Sequence, residues 1–300
     1  LEKDEPMSAA EQAPDPRGRM VEIGAGRQLR AVPAGPETSP RPLVLLEAGS
    51  FGFSADWAAV QAPLAAEGIR SLAYDRAGLG HSDAGPEPRD SQAIAGDLEA
   101  LLAALGEGGP LIVCGHSMAG LHVRLFAGRN AARIRGLVLV DAVMPEAMDH
   151  PAAAQFVGHF NNLSKLAAWG ASVGLQRPLA GALGDAIGLP ADAKAEKRVA
   201  FADAGHNRWA AAEVAAWHAS ADQARAAPAF DPDWPMAVVL TGDGRQPPNA
   251  RHALQTAPAS ASRAGSVVHA PGANHASLLG ERHAGHIVRA LLAVEAAAKS

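Results

Sequence analysis

Three hundred residues, 48% apolar and 19% charged, can bury a large core as one α/β domain with an insertion or as two smaller domains. The net charge is −5 and the basic residues are scattered, which argues against a nucleic-acid surface. The single cysteine, Cys114, rules out an internal disulfide and reads as a small buried residue, and no apolar run approaches the ~20 residues of a membrane helix.

Residues 1–18 are polar and proline-bearing, with no signal-peptide core, and are expected as a disordered leader. Arg19 to Ile23 and Gln28 to Val32 alternate around Gly24 and Gly26, the pattern of an edge hairpin. Leu43 to Glu47 reads as a buried strand running into Ala48-Gly49-Ser50-Phe51-Gly52. A helix over 55–67 and a strand from Ile69 to Tyr74 follow, then a helix over 90–105. Leu111 to Cys114 is a strand, 118–129 a helix, and Gly136 to Val140 another buried strand that closes on Asp141. From about 145 to 228 no strand pattern occurs. Helical stretches run from Ala191 to Phe201 and from Trp209 to Arg225, where Val214, Trp217 and Ala221 share a face. Alternation resumes with a strand from Met236 to Leu240, a helix near 249–257, a strand from Ser266 to His269 and a last helix over 281–298.

Strands alternating with helices predict an α/β fold, a mostly parallel sheet covered by helices on both faces. Residues 19–144 and 229–300 form its core. The block at 145–228 lies between two strands and is expected as a helical lid over their carboxyl ends, where open α/β sheets bind ligands.

The chemistry concentrates at Gly115-His116-Ser117-Met118-Ala119-Gly120, a small-residue turn between a strand and a helix. Such a turn lifts a serine hydroxyl off the sheet edge. A serine needs a base to take its proton and a third group to orient that base. The expected order is serine, acid, histidine. His275 follows the last strand in a small-residue loop and is the expected base. His283 and His286, on the last helix, read as surface residues. Asp141 and Asp243 both end strands after the serine. Asp141 is favoured, because Asp243 follows its strand too early and Arg245 holds the place an acid would take. The expected oxyanion donors are the backbone N–H groups of Met118, at the positive end of its helix, and Ser50.

At these positions the chain resembles the serine hydrolases of the α/β-hydrolase fold family. The resemblance covers about residues 19–298. It rests on Leu46-Glu-Ala-Gly-Ser50, the Tyr74 to Asp83 stretch, Gly115 to Gly120, Leu139-Val-Asp-Ala-Val-Met-Pro145 and Pro271-Gly-Ala-Asn-His275. Asp141 to Pro145 is similar to haloalkane dehalogenases whose acid follows the sixth strand, which supports Asp141. A dehalogenase or epoxide hydrolase would carry aspartate where this chain has Ser117. Two positions depart from the pattern: the usual His-Gly before the oxyanion loop is Ala48-Gly49, and Ala119 replaces the second glycine of the serine turn. In the family the Tyr74 to Asp83 stretch is structural, with Asp75 and Arg76 tying loops together.

The resemblance implies a metal-free, cofactor-free serine hydrolase that forms an acyl-enzyme on a small, largely apolar ester, lactone or amide. A carbon–carbon hydrolase acting on a diketone-like compound is the alternative, and a non-catalytic binding member of the fold is a further one. Phe51, His116, Trp209 and Trp217 are expected against substrate. The expected partner is a small molecule, with no nucleic acid and no membrane span, for a monomer or homodimer in the cytoplasm, with export left open.

Overall fold

The computed structural model describes residues 17–176, 178–181, 186–245 and 249–298. Residues 1–16 of the expected leader lie outside them. Eight strands form one sheet: β1 (Arg19–Glu22), β2 (Gln28–Ala34), β3 (Leu43–Glu47), β4 (Ser71–Tyr74), β5 (Leu111–His116), β6 (Ile134–Val140), β7 (Met236–Thr241) and β8 (Gly265–Ala270). Their order is β1-β2-β4-β3-β5-β6-β7-β8. β1 pairs antiparallel with β2 and β2 with β4, and every later pairing is parallel.

The core strands are buried on both faces, and their side chains sort by alternation. Val44, Leu46, Ile112, Cys114, Val138 and Val140 pack with α1 (Ala58–Ala66) and the last helix, α9 (Ala284–Ala297). Leu43, Leu45, Leu111, Val113, Leu137 and Leu139 pack with α2 (Ser91–Ala104) and α3 (Ala119–Arg129). Each buried side chain of this size contributes roughly 1.5–3 kcal/mol. A one-residue slip in any strand would exchange its two faces, so the packing fixes register.

Register is what positions the site. His116 pairs with Val140 at the carboxyl ends of β5 and β6, so Ser117 and Asp141 leave adjacent strands side by side. Thr241 pairs with Ala270 at the ends of β7 and β8, and the loop carrying His275 follows β8.

Between β6 and β7, the described residues form helices and turns without a strand. They include α4 (Pro151–Ser172), α5 (Ala191–Ala202), α6 (Ala204–Ala215) and α7 (Trp217–Ala226). The single helix expected from Trp209 to Arg225 is a correction: the chain breaks at Ala216, where φ is −86° and ψ 7°. α6 starts earlier than expected because Asp203 caps it, accepting from His206 N at 2.6 Å. Val214, Trp217 and Ala221 still meet across the break, packed with Met118, Leu121 and Val157. α8 (Ala250–Ala261) begins at a similar cap, Asn249, which accepts from His252 N at 2.9 Å.

Candidate active site

The turn after β5 is built by close approach. Ser117 has φ +60°, a left-handed conformation that costs about 1–2 kcal/mol outside glycine. Three backbone bonds hold it there: Ser117 N donates to Val140 O at 3.1 Å, and Ser117 O accepts from Gly120 N at 3.1 Å and Val143 N at 2.8 Å. A Cβ at Gly115 would stand 2.7 Å from Val123 Cγ2, and one at Gly120 would stand 2.3 Å from Val143 O. Those are the two positions that need glycine. Ala119 lies between them, fully buried, so its methyl group is accommodated.

Ser117 Oγ lies 2.9 Å from His275 Nε2. On the other side of the ring, His275 Nδ1 donates to Asp141 Oδ2 at 2.5 Å. With Nδ1 protonated toward a carboxylate, Nε2 is left as the acceptor facing the serine. Asp141 itself sits at φ +41°. Its other oxygen accepts from Gln255 Nε2 at 2.7 Å and Arg251 at 3.3 Å, both on α8. Burial pushes the Asp141 carboxyl up, but the hydrogen bond and charge of His275, with the Gln255 amide and Arg251, hold it at about 2. Asp243 is exposed and bonds locally, accepting from Arg245 N at 3.0 Å. It is not joined to His275.

Opposite the serine, the Ala48 to Gly52 loop turns sharply, with Phe51 at φ +58° and Gly52 N donating to Gly49 O at 3.0 Å. A Cβ at Gly49 would stand 2.8 Å from Ser117 Cβ, so the loop backbone passes directly beside the serine. Ser50 Oγ bonds Met118 Sδ at 3.2 Å, tying the loop to the serine turn. Among the described residues, neither Ser50 N–H nor Met118 N–H has a backbone acceptor.

Of the residues expected against substrate, Phe51 and Trp209 are half-buried. His116 and Trp217 are placed differently. His116 is buried and bonds His275 O through Nε2 at 3.1 Å, its ring 4.5 Å from the His275 ring. Burial and the neighbouring His275 push its pKa down to about 3, so it is neutral and braces the histidine loop. Trp217 is 3% exposed and fills the apolar cluster between α7, α4 and α3. Gln255 was not singled out by the sequence, since an amide in the middle of a helix carries no pattern that points to the site. Among the described residues, no group of three or more His, Cys, Asp or Glu side chains is placed to hold a metal ion, and no helix is long and apolar enough to cross a membrane.

Comparison with known proteins agrees with this architecture. A family model for the alpha/beta hydrolase fold matches residues 42–243. The "Probable transporter efuK" of Hormonema carpetanum is 37% identical over 127 residues, which are 41% of this chain and 18% of that protein. The chain covers less than a third of the length of the curated relatives it matches. Among solved structures, a thermophilic esterase from Thermogutta terrifontis superposes with TM-score 0.67 at 22% identity, covering 93% of this chain and 100% of that one. The enol-lactonase from Burkholderia xenovorans LB400 gives TM-score 0.61 at 21% identity, covering 91% and 98%.

Proposed function

The chain belongs to the α/β hydrolase fold family, and on that premise we propose that it is a serine hydrolase cleaving a carboxylic ester, or a lactone or amide, of a small and largely apolar substrate. The observation that carries this reading is the relay from Asp141 Oδ2 through both nitrogens of His275 to Ser117 Oγ, at 2.5 and 2.9 Å. Ser117 Oγ attacks the acyl carbon as His275 Nε2 takes its proton, and the carbonyl π electrons move to the oxygen. The N–H groups of Ser50 and Met118 stabilise that oxyanion. When the oxyanion collapses, the bond to the leaving oxygen breaks and Nε2 returns the proton to it. Water, deprotonated by the same nitrogen, then attacks the acyl-enzyme, and the carboxylic acid leaves with Ser117 restored. Asp141 stays ionised throughout and stabilises the imidazolium.

Residues 145–228 act in this reading as the lid that selects substrate. The side chains around Met118 and Leu121 are Val157, Val214 and Trp217, with Phe51, Val143, Met148 and Phe160 packed against them. That apolar packing beside the serine turn suits an apolar acyl group, and Phe51 and Trp209 are half-buried aromatic side chains offered to it. The esterase and enol-lactonase among the structural neighbours are consistent with an oxygen ester.

Turnover of p-nitrophenyl acetate and butyrate before and after Ser117→Ala tests the proposal. A loss of about 10⁴-fold or more is expected; undiminished turnover in the variant refutes a serine mechanism.

A further inference from the structure

Two buried cations stand behind the Ser50 turn, and the helices of the 145–228 block determine where both point. Arg76 is 2% exposed and uses all five of its donors. Nε and Nη2 form a two-pronged bond with Glu213, each at 2.8 Å. Nη1 reaches Glu47 at 2.7 Å and Ala48 O at 2.6 Å, and Nη2 also reaches Gly49 O at 2.8 Å. Glu213 lies on α6 with no exposed surface. Lys197, on α5 and 1% exposed, donates to Phe51 O at 2.9 Å and pairs with Asp56 at 2.8 Å. Its ammonium also lies 4.8 Å from the Phe53 ring centroid and 4.9 Å from that of Phe201.

In a trans peptide the C=O and N–H point in opposite directions. Gly49 O and Ser50 N–H belong to one peptide unit. A guanidinium that holds Gly49 O therefore also fixes the direction of Ser50 N–H, away from Arg76. Lys197 holds the peptide after Phe51 in the same way, and the N–H of that peptide, from Gly52, donates to Gly49 O at 3.0 Å, so the ammonium acts on the Ser50 peptide through Gly52. We infer that Glu213 and Lys197 are positioning residues for the oxyanion hole: through Arg76 and through Phe51 O, α5 and α6 set the direction of the Ser50 donor. The inference rests on the proposed role of Ser50. It makes α5 and α6 a fixed strut behind the site, because moving them away would release the carbonyls that orient the donor.

The test uses Glu213→Gln and the double variant Lys197→Met/Asp56→Asn, which leaves no buried carboxylate without a counter-ion. Lys197→Arg serves as the conservative rescue. Each variant is first checked for a cooperative thermal transition, then measured with p-nitrophenyl butyrate and a trifluoromethyl ketone that forms a tetrahedral adduct. The expected result is a 10- to 100-fold fall in kcat with KM within about threefold. The affinity for the ketone should fall by the same factor as kcat, with partial recovery in Lys197→Arg. If Glu213→Gln does not fold, the charge-balanced double variant decides alone. The inference is overturned if folded variants keep kcat and ketone affinity within twofold of the parent, or if the whole loss falls on KM. Ser117→Ala measured in parallel separates this outcome from failure of the underlying reading. Turnover that survives Ser117→Ala overturns the acyl-enzyme mechanism itself. Turnover abolished there but undiminished in the Glu213 and Lys197 variants overturns only the positioning role.

Discussion

The sheet edge that carries Ser117, Asp141 and His275 and the helical block above it are held by different forces. At the edge, strand register, two glycine contacts and three non-glycine residues with left-handed backbone (Phe51, Ser117 and Asp141) place the groups. The charge there is confined to Asp141 with His275 and Arg251. In the block, α5 and α6 reach the core through buried ions, Lys197 to Asp56 and Glu213 to Arg76. α4 behaves differently again. One side packs Val157 and Ala171 inward, while Phe156, Leu163, Leu166 and Trp169 are exposed. Short-range backbone constraints thus place Ser117, Asp141 and His275, whereas longer-range buried charge places the Ser50 loop behind them. Removing a reacting group should cost rate, and removing a packing or charged group should cost stability or donor alignment.

The largest effect is expected at Asp141. Asp141→Asn should lower kcat by about 10⁴-fold by favouring the wrong histidine tautomer, while Asp243→Asn should leave it within twofold. A larger loss in the second variant would move the acid to β7 and contradict the geometry at β6. Packing within the block comes next. Trp217→Ala should destabilise by roughly 3–5 kcal/mol by opening a cavity, read as a shift in the urea midpoint. Trp169→Ala, at a position 58% exposed, should change stability by less than about 0.5 kcal/mol. Equal costs at the two tryptophans would mean that the outer side of α4 is covered in solution.

A smaller effect is expected from acid titration. Asp141 is held at about 2 when folded, below the ordinary 3.8. Its carboxylate therefore adds stability that is fully present above pH ~4 and is lost as pH falls through about 2, an effect of about 2 kcal/mol. The stability difference between the parent and Asp141→Asn should shrink over that window, and a constant difference would show that the carboxylate is not held by its neighbours. The smallest effect is at Gln255. Deleting its amide removes one charge-assisted hydrogen bond from Asp141, for an expected fall in kcat of about tenfold. It should also move the acid-induced loss of stability to higher pH.

Much of the sheet was legible because its strands are short apolar runs bounded by turn residues. The serine turn was legible for the same reason, and Gly115 and Gly120 stand where the chain packs too closely for a side chain. The choice between Asp141 and Asp243 was harder, because both end strands and only the β5–β6 register sets one of them beside Ser117. The break at Ala216 carries no signal: Val214-Ala-Ala-Trp-His218 contains neither glycine nor proline, and tertiary packing overrides helix propensity there. Lys197 falls in Lys194-Ala-Glu-Lys-Arg198, which reads as a solvated charged face. It is buried because Asp56 and Phe51 O, 141 and 146 residues away in sequence, meet it. Glu213 offers a faint clue, a lone carboxylate in Ala210-Ala-Ala-Glu-Val-Ala-Ala216, and the resemblance places its partner Arg76 only among residues that tie loops together.

Whether Ser117 carries the acyl group is decided by labelling with a p-nitrophenyl alkylphosphonate followed by peptide mass spectrometry. One phosphonyl group per chain is expected, on the peptide containing Ser117, with labelling slowed by His275→Ala and absent in Ser117→Ala. Turnover of esters by a protein that takes no label, or takes it on another residue, would contradict that role of Ser117.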